Sequence, residues 1–237
     1  MTFSNYVKAH TNTYGLDLTD AQINQLQRFY EQVVTTNEHM NLTGITEPEE
    51  FALKHVVDSL SCYDPKYFTK GATVIDLGTG AGFPGVPLGI YDPSLQITLF
   101  DSLQKRLRFL DGVIEDLDLQ GLQTLHGRAE DLAHQEYRES FDLLTSRAVA
   151  RLSILLEWGL PYVKVGGYMV ALKGSIVQEE LEESKCALSI LGGKIVEVKE
   201  VTLPTLDDKR AIVYIKKIKP TPKKYPRKPK EIKTKPL

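Results

Sequence analysis

Four glycines, Gly78, Gly80, Gly82 and Gly85, follow directly on the apolar run Val74-Ile75-Asp76-Leu77. An apolar β-branched run ending in an acid and glycines reads as a buried parallel strand that turns into a loop whose backbone touches a ligand closely. Glycine supplies the positive φ angles and the missing Cβ that such an approach needs. The chemistry this suggests is binding of a nucleoside-bearing cofactor at the carboxyl end of an open α/β sheet.

The spacing admits two ligands. Gly80-x-Gly82-x-x-Gly85 satisfies a dinucleotide fingerprint, and Gly78-x-Gly80-x-Gly82 satisfies the S-adenosyl-L-methionine pattern. Pro84 and Pro87 stand where a dinucleotide helix would offer N–H groups to a pyrophosphate, and proline has none. Asp76 can organise the loop and attract a cationic amino-acid head. These residues favour the methyl donor, which carries an ammonium and a sulfonium but no phosphate.

Further candidates stand at successive strand ends. Asp101 closes the second strand, where an acid accepts hydrogen bonds from both ribose hydroxyls, and Ser102 and Leu103 follow it, with Leu103 placed to floor an adenine. His126-Gly127-Arg128-Ala129-Glu130-Asp131 ends the third strand, so that Ala129 and Glu130 can read the adenine edge. Arg147 ends the fourth strand and Lys173 the fifth, and both are candidates for positioning a substrate phosphate or the cofactor carboxylate. Each acid taken alone reads more readily as a helix N-cap, and three acid-bearing strand ends in order behind a glycine loop turn the balance to the site; Lys173 reads equally as a solvated strand end. His55, Asp58 and Ser59 share one helix face, but three members on one helix make no nucleophile–base relay. No Pro-Cys nucleophile and no Asn/Asp-Pro-Pro-aromatic motif is present. The chain has no metal- or redox-spaced pair in Cys62 and Cys186.

The elements that position these residues read as follows. Residues 1–65 are helical, with a capping box at Thr19 and Gln22 and an apolar face of Ile23, Leu26, Tyr30, Val33 and Val34. Asn41-Leu42-Thr43-Gly44 breaks that helix and Pro48 opens another. Strands are expected over 73–77, 96–101, 123–126, 141–146, 168–172, 194–198 and 210–215, with helices over 105–119 and 151–163. The alternation predicts a mostly parallel sheet covered on both faces, with a terminal antiparallel hairpin. That is an α/β fold of the class I S-adenosylmethionine-dependent methyltransferase type, a Rossmann-like seven-stranded sheet with its last strand antiparallel and a helical subdomain before it. Three parts are expected: 1–65, 66–215, and a basic tail over 216–237.

Of 237 residues, 42% are hydrophobic and 25% charged, as in an ordinary soluble globule. Two cysteines, no apolar leader and no long apolar helix suggest a reducing cytoplasm and no membrane partner. The net charge of −2 hides an asymmetry: residues 216–237 hold ten Lys or Arg and one acid, leaving −11 on the first 215. Such a tail attracts polyanions, and its five prolines are expected to keep it extended rather than helical.

Taken together, Asn41-Leu42-Thr43, His55-Val56-Val57-Asp58-Ser59-Leu60, the glycine loop to Gly85, Asp101-Ser102-Leu103, Gly127-Arg128-Ala129-Glu130, Arg147-Ala148-Val149-Ala150, Lys173-Gly174 and Tyr225-Pro226-Arg227-Lys228 resemble the RsmG (GidB) family of bacterial 16S ribosomal RNA guanine-N7 methyltransferases. Lys230 and Ile232 stand where tails of that family usually carry glycine and proline. The resemblance implies cofactor contacts at Gly78, Gly80, Phe83, Asp101, Ser102, Leu103, Ala129, Glu130 and Arg147. It also implies a guanine in the decoding-region loop of 16S ribosomal RNA as target, on the RNA or the small ribosomal subunit. A monomer is expected. Guanine N7 has a free lone pair at neutral pH, so transfer needs alignment and desolvation rather than a general base, and no metal. Phe83 and Tyr225 are the candidate stacking platforms for a splayed base. Methylation of a small molecule or protein, and a non-enzymatic module that senses the cofactor or chaperones RNA, are the alternatives.

Overall fold

A computed structural model describes residues 2–174, 177–203 and 209–237. Strands β1 (Thr73–Leu77), β2 (Gln96–Asp101), β3 (Leu122–His126), β4 (Phe141–Arg147), β5 (Val163–Lys173), β6 (Gly193–Thr202) and β7 (Lys209–Lys217) form one sheet in the order β3-β2-β1-β4-β5-β7-β6. The first five are parallel, β7 runs antiparallel between β5 and β6, and β6 and β7 form the expected hairpin. The connection expected as a loop between β6 and β7, residues 204–208, lies outside the described residues. Strand order reverses between β1 and β4, which opens a crevice above their carboxyl ends.

Central strands bury both faces, so their side chains alternate between two cores. Val74, Ile97, Leu99, Leu143, Val170, Ile212 and Tyr214 face one; Ile75, Phe100, Leu144, Met169, Val213 and Ile215 face the other.

The first face is covered by α1 (Phe3–Thr11), α2 (Asp20–Met40), α3 (Pro48–Phe51), α4 (Asp58–Leu60), α5 (Gly85–Tyr91) and α6 (Gln104–Leu117). Helix α2 starts at the expected capping box and buries Ile23, Leu26, Phe29 and Val33. It ends at Asn41 in the left-handed region, and the Asn37 carboxamide oxygen accepts from the N–H groups of Leu42 and Thr43. A π-helical stretch, Ala52–Val57, joins α3 to α4 and carries Lys54 and His55. The N-terminal helices thus share a core with the sheet.

The second face is covered by α7 (Ala129–Leu132), α8 (Leu152–Gly159), α9 (Val177–Glu183) and α10 (Lys185–Leu191). The sequence reading leaves α9 and α10 unassigned because their acid-rich start carries little apolar periodicity.

The tail departs from expectation. It is not extended throughout: α11 spans Pro229–Thr234. Proline suits the first helical position, where its missing N–H is not needed, and residues 230–235 contain no other proline. Lys217, Tyr225 and Ile232 are buried, whereas Lys219, Lys223, Lys224, Lys228, Lys230, Lys233 and Lys235 are exposed. The Arg138 guanidinium donates to the carbonyls of Thr221, Pro222 and Tyr225. Burial lowers the Lys217 ammonium to about 8, and it is held by the Leu160 carbonyl and the Thr221 hydroxyl.

Candidate active site

The loop after β1 turns back over β2: the N–H groups of Gly78 and Thr79 both donate to the Phe100 carbonyl, at 2.8 and 3.1 Å. Gly78 sits at φ +72°, and a Cβ there would lie 2.5 Å from Val149 Cγ2. Only glycine satisfies both the backbone angle and that contact. Asp76 organises the loop as expected, with one carboxylate oxygen accepting from Thr79 Oγ1 (2.6 Å) and the Gly85 N–H (2.9 Å) and the other from Thr145 Oγ1 (3.2 Å). Its side chain is fully buried, so it offers no surface to a ligand ammonium. Burial raises its carboxyl to about 6, against the pull of those hydrogen bonds.

The start of α5 holds no anion site. The Gly85 N–H is taken by Asp76, the Val86 N–H by the Gly82 carbonyl, and Pro87 has none. A pyrophosphate would find no donor there.

Asp101 is fixed by the Leu103 N–H on Oδ1 (2.8 Å) and the Gly80 N–H on Oδ2 (3.0 Å), with Arg106 Nη1 at 3.5 Å. A carboxylate offers about four acceptor positions, so capacity remains for a diol. Above it opens a cavity of about 430 Å³, lined by Leu77, Gly78, Phe100, Asp101 and Ser102 from the first two strand ends. Gly127–Glu130 line it from the third, and Ala148 and Val149 from the fourth. The Tyr162 hydroxyl donates to the Ala129 carbonyl at 2.7 Å and fixes that turn. Of the residues singled out in the sequence, Gly78, Asp101, Ser102, Ala129 and Glu130 thus meet around one space. Gly80 supports it through Asp101. Leu103 is not among its lining residues; it is 43% exposed.

Phe83 and Arg147 lie elsewhere. Phe83 is 4% exposed and stacks on His55 (4.5 Å between ring centroids), with the Arg147 guanidinium over its ring at 5.0 Å. Neither it nor Tyr225, 6% exposed, presents a face to an incoming base. Arg147 Nη1 donates to the Lys54 carbonyl (2.7 Å) and Asp58 Oδ2 (2.9 Å), and Nη2 donates to His55 Nδ1 (3.1 Å). Since Nδ1 accepts, the His55 proton is on Nε2 and is donated to Thr43 Oγ1 at 2.7 Å. Burial, reinforced by Arg147, holds the imidazole neutral, at about 3. This network ties the end of β4 to the π-helical stretch. Lys173 pairs with the buried Glu180 (2.6 Å) and donates to the Ala150 carbonyl (2.7 Å); Glu180 also accepts from the Leu152 N–H. Its ammonium is therefore engaged within the fold rather than free on the rim.

Sequence reasoning misses Trp158, Pro229 and Lys233, which complete the cavity wall from α8 and α11. They come from elements whose placement depends on distant pairings.

Comparison with known proteins then decides the family. The family model for rRNA small subunit methyltransferase G matches residues 22–213. A ribosomal RNA small subunit methyltransferase G of Alkaliphilus metalliredigens (strain QYMF) is 48% identical over 224 residues, 94% of each chain. The chain belongs to the rRNA small subunit methyltransferase G family. Membership carries the activity class, methyl transfer to small-subunit ribosomal RNA. Solved structures agree on the fold. TYW2 of M. jannaschii in complex with AdoMet superposes with a TM-score of 0.51 at 15% identity, covering 63% of this chain and 70% of its own. The [4+2]-cyclase SpnF gives 0.58 at 12% identity, covering 85% and 97%. A cyclase on the same fold shows why the sheet alone does not define the reaction. Among the described residues no helix is long and apolar enough to cross a membrane.

Proposed function

We propose that this enzyme methylates N7 of a specific guanine in the decoding-region loop of 16S ribosomal RNA, by direct in-line transfer and without a covalent intermediate. The observation that carries the reading is the cavity above Asp101, beside a helix start with no donor left for a phosphate. S-adenosyl-L-methionine is the cofactor that fits, and when bound it supplies a methyl group on a sulfonium. Gly78 lets the backbone approach; Asp101, oriented by Gly80 and Leu103, accepts from the ribose hydroxyls; Ser102, Ala129 and Glu130 border the adenine. Arg147 and Phe83 act from behind the cavity, holding the π-helical stretch against β4.

The chain's contribution is to align the reactants and exclude water. His55 is locked at both ring nitrogens, which suits a nucleophile that needs no base. Lys173 anchors the rim through Glu180. The exposed lysines of the tail supply phosphate contacts. The division into residues 1–65, 66–215 and 216–237 separates a lip, a catalytic sheet and an RNA-facing ridge, in a cytoplasmic monomer.

The test is transfer of labelled methyl groups to small subunits, naked 16S RNA and free metabolites, followed by borohydride reduction and aniline cleavage, which cuts RNA at 7-methylguanine. Cleavage at one guanine of the decoding region is expected. Label in RNA that resists this cleavage, or label only in metabolites, overturns the proposal.

A further inference from the structure

We propose that the C-terminal segment from Arg227 to Lys233 is a wall of the cofactor site and is required for tight cofactor binding; this rests on the reading that the cavity above Asp101 holds the cofactor. Pro229 and Lys233 line that cavity together with Gly127, Arg128 and Trp158. The segment has one seat. The carboxylate of Glu157, which has no exposed surface, accepts from Arg227 Nε (2.8 Å), Nη2 (2.7 Å) and the Arg227 N–H (2.8 Å). Such a forked, buried pair is satisfied in one geometry only. Two further anchors flank it: the Pro226 carbonyl accepts from His134 Nε2 at 3.0 Å, and Ile232 is fully buried.

Glu157 adjoins Trp158, so the turn of α8 that clamps the tail also faces the cavity. Pro229 and Lys233 line the same cavity as Asp101, Ser102 and Glu130, and a proline ring and a lysine stem can provide apolar cover of the kind a nucleoside base requires. The tail is therefore a ligand-contacting element as well as a basic one.

The test uses full-length variants and calorimetric titration with S-adenosylmethionine and S-adenosylhomocysteine. Pro229→Gly with Lys233→Ala trims the wall and leaves the clamp. Ile232→Asp places a charge at a fully buried position and is expected to displace α11. Asp101→Ala removes a lining group of the same cavity that does not belong to the tail. Lys228→Ala with Lys230→Ala removes two exposed charges that do not line it. The first three are expected to raise Kd by about tenfold or more, and the last to leave it within twofold. If Asp101→Ala weakens binding while the double wall variant binds like wild type, the wall is refuted and the cavity reading survives. If none of them weakens binding, the cavity reading itself fails. Equal weakening by the Lys228/Lys230 variant assigns the effect to net charge and also refutes the wall. Should Ile232→Asp unfold, the double wall variant decides.

Discussion

Gly78→Ala tests the loop most directly. The new Cβ would stand 2.5 Å from Val149 Cγ2, whereas carbon–carbon contact lies at roughly 3.5–4.0 Å. The Val149 side chain must then leave its rotamer, or the two segments must part by about 1–1.5 Å. The loop resists this, because Gly78 and Gly80 are fixed by hydrogen bonds to Phe100 and Asp101. A φ of +72° costs an L-residue about 1–2 kcal/mol by itself. Overpacking adds about 1–3 kcal/mol. Val149→Ala removes Cγ2, so in the double variant the second cost vanishes and the first remains. Denaturant unfolding of the four proteins should yield a coupling of about 1–3 kcal/mol. Titration with S-adenosylmethionine should show Gly78→Ala weakened by about tenfold or more and the double variant largely restored. A coupling below about 0.5 kcal/mol, or Val149→Ala alone binding as poorly as Gly78→Ala, would refute the reasoning.

Three other outcomes are expected. His55 titrates at about 3 in the fold against 6.5 in the unfolded chain; the unfolded state binds the proton between those values, so stability is lost as pH falls through that window. Because Asp76, raised to about 6, acts in the opposite sense between its two values, the comparison is wild type against His55→Gln. From about pH 6.5 to about pH 4 wild type should lose roughly 3 kcal/mol more by urea unfolding, and parallel profiles would sink the claim. Lys173→Ala leaves buried Glu180 without its cation and should cost about 3–5 kcal/mol, while RNA affinity measured on the folded protein stays unchanged; a selective loss of affinity would restore Lys173 to the substrate. If about five tail lysines meet phosphates, log affinity for single-stranded RNA should fall against log salt with a slope near −3.5, and Lys230→Ala with Lys235→Ala should flatten it by about 1.4. An unchanged slope would move the contact surface elsewhere.

What was legible in the sequence was local. Gly78, Asp101, Ser102, Ala129 and Glu130 stand at or within four residues after the ends of β1, β2 and β3, and parallel pairing carries those ends to one rim. The direction of a side chain at the rim was not legible. Arg147 turns away because Lys54 and His55 lie on a π-helical stretch that no periodicity announces, and Asp58, 89 residues before Arg147, starts the helix directly after it. Arg227 is fixed by Glu157, 70 residues away. Lys173 has its partner only seven positions on, but on a helix whose acidic face resembles a solvated one. The prolines of the tail suggested an extended chain, yet one of them starts the helix.

The anchoring of the tail sets the thermodynamics of whatever polyanion meets it. A floating basic segment loses conformational entropy when it binds and gains reach beforehand. Here Arg227, Ile232 and the carbonyls gathered by Arg138 have already met that ordering cost during folding. Lysines 228, 230, 233 and 235 therefore present fixed spacings. Association should lack the heat-capacity signature of coupled folding, and the ridge should discriminate among polyanions by the geometry of their phosphates rather than by charge density alone.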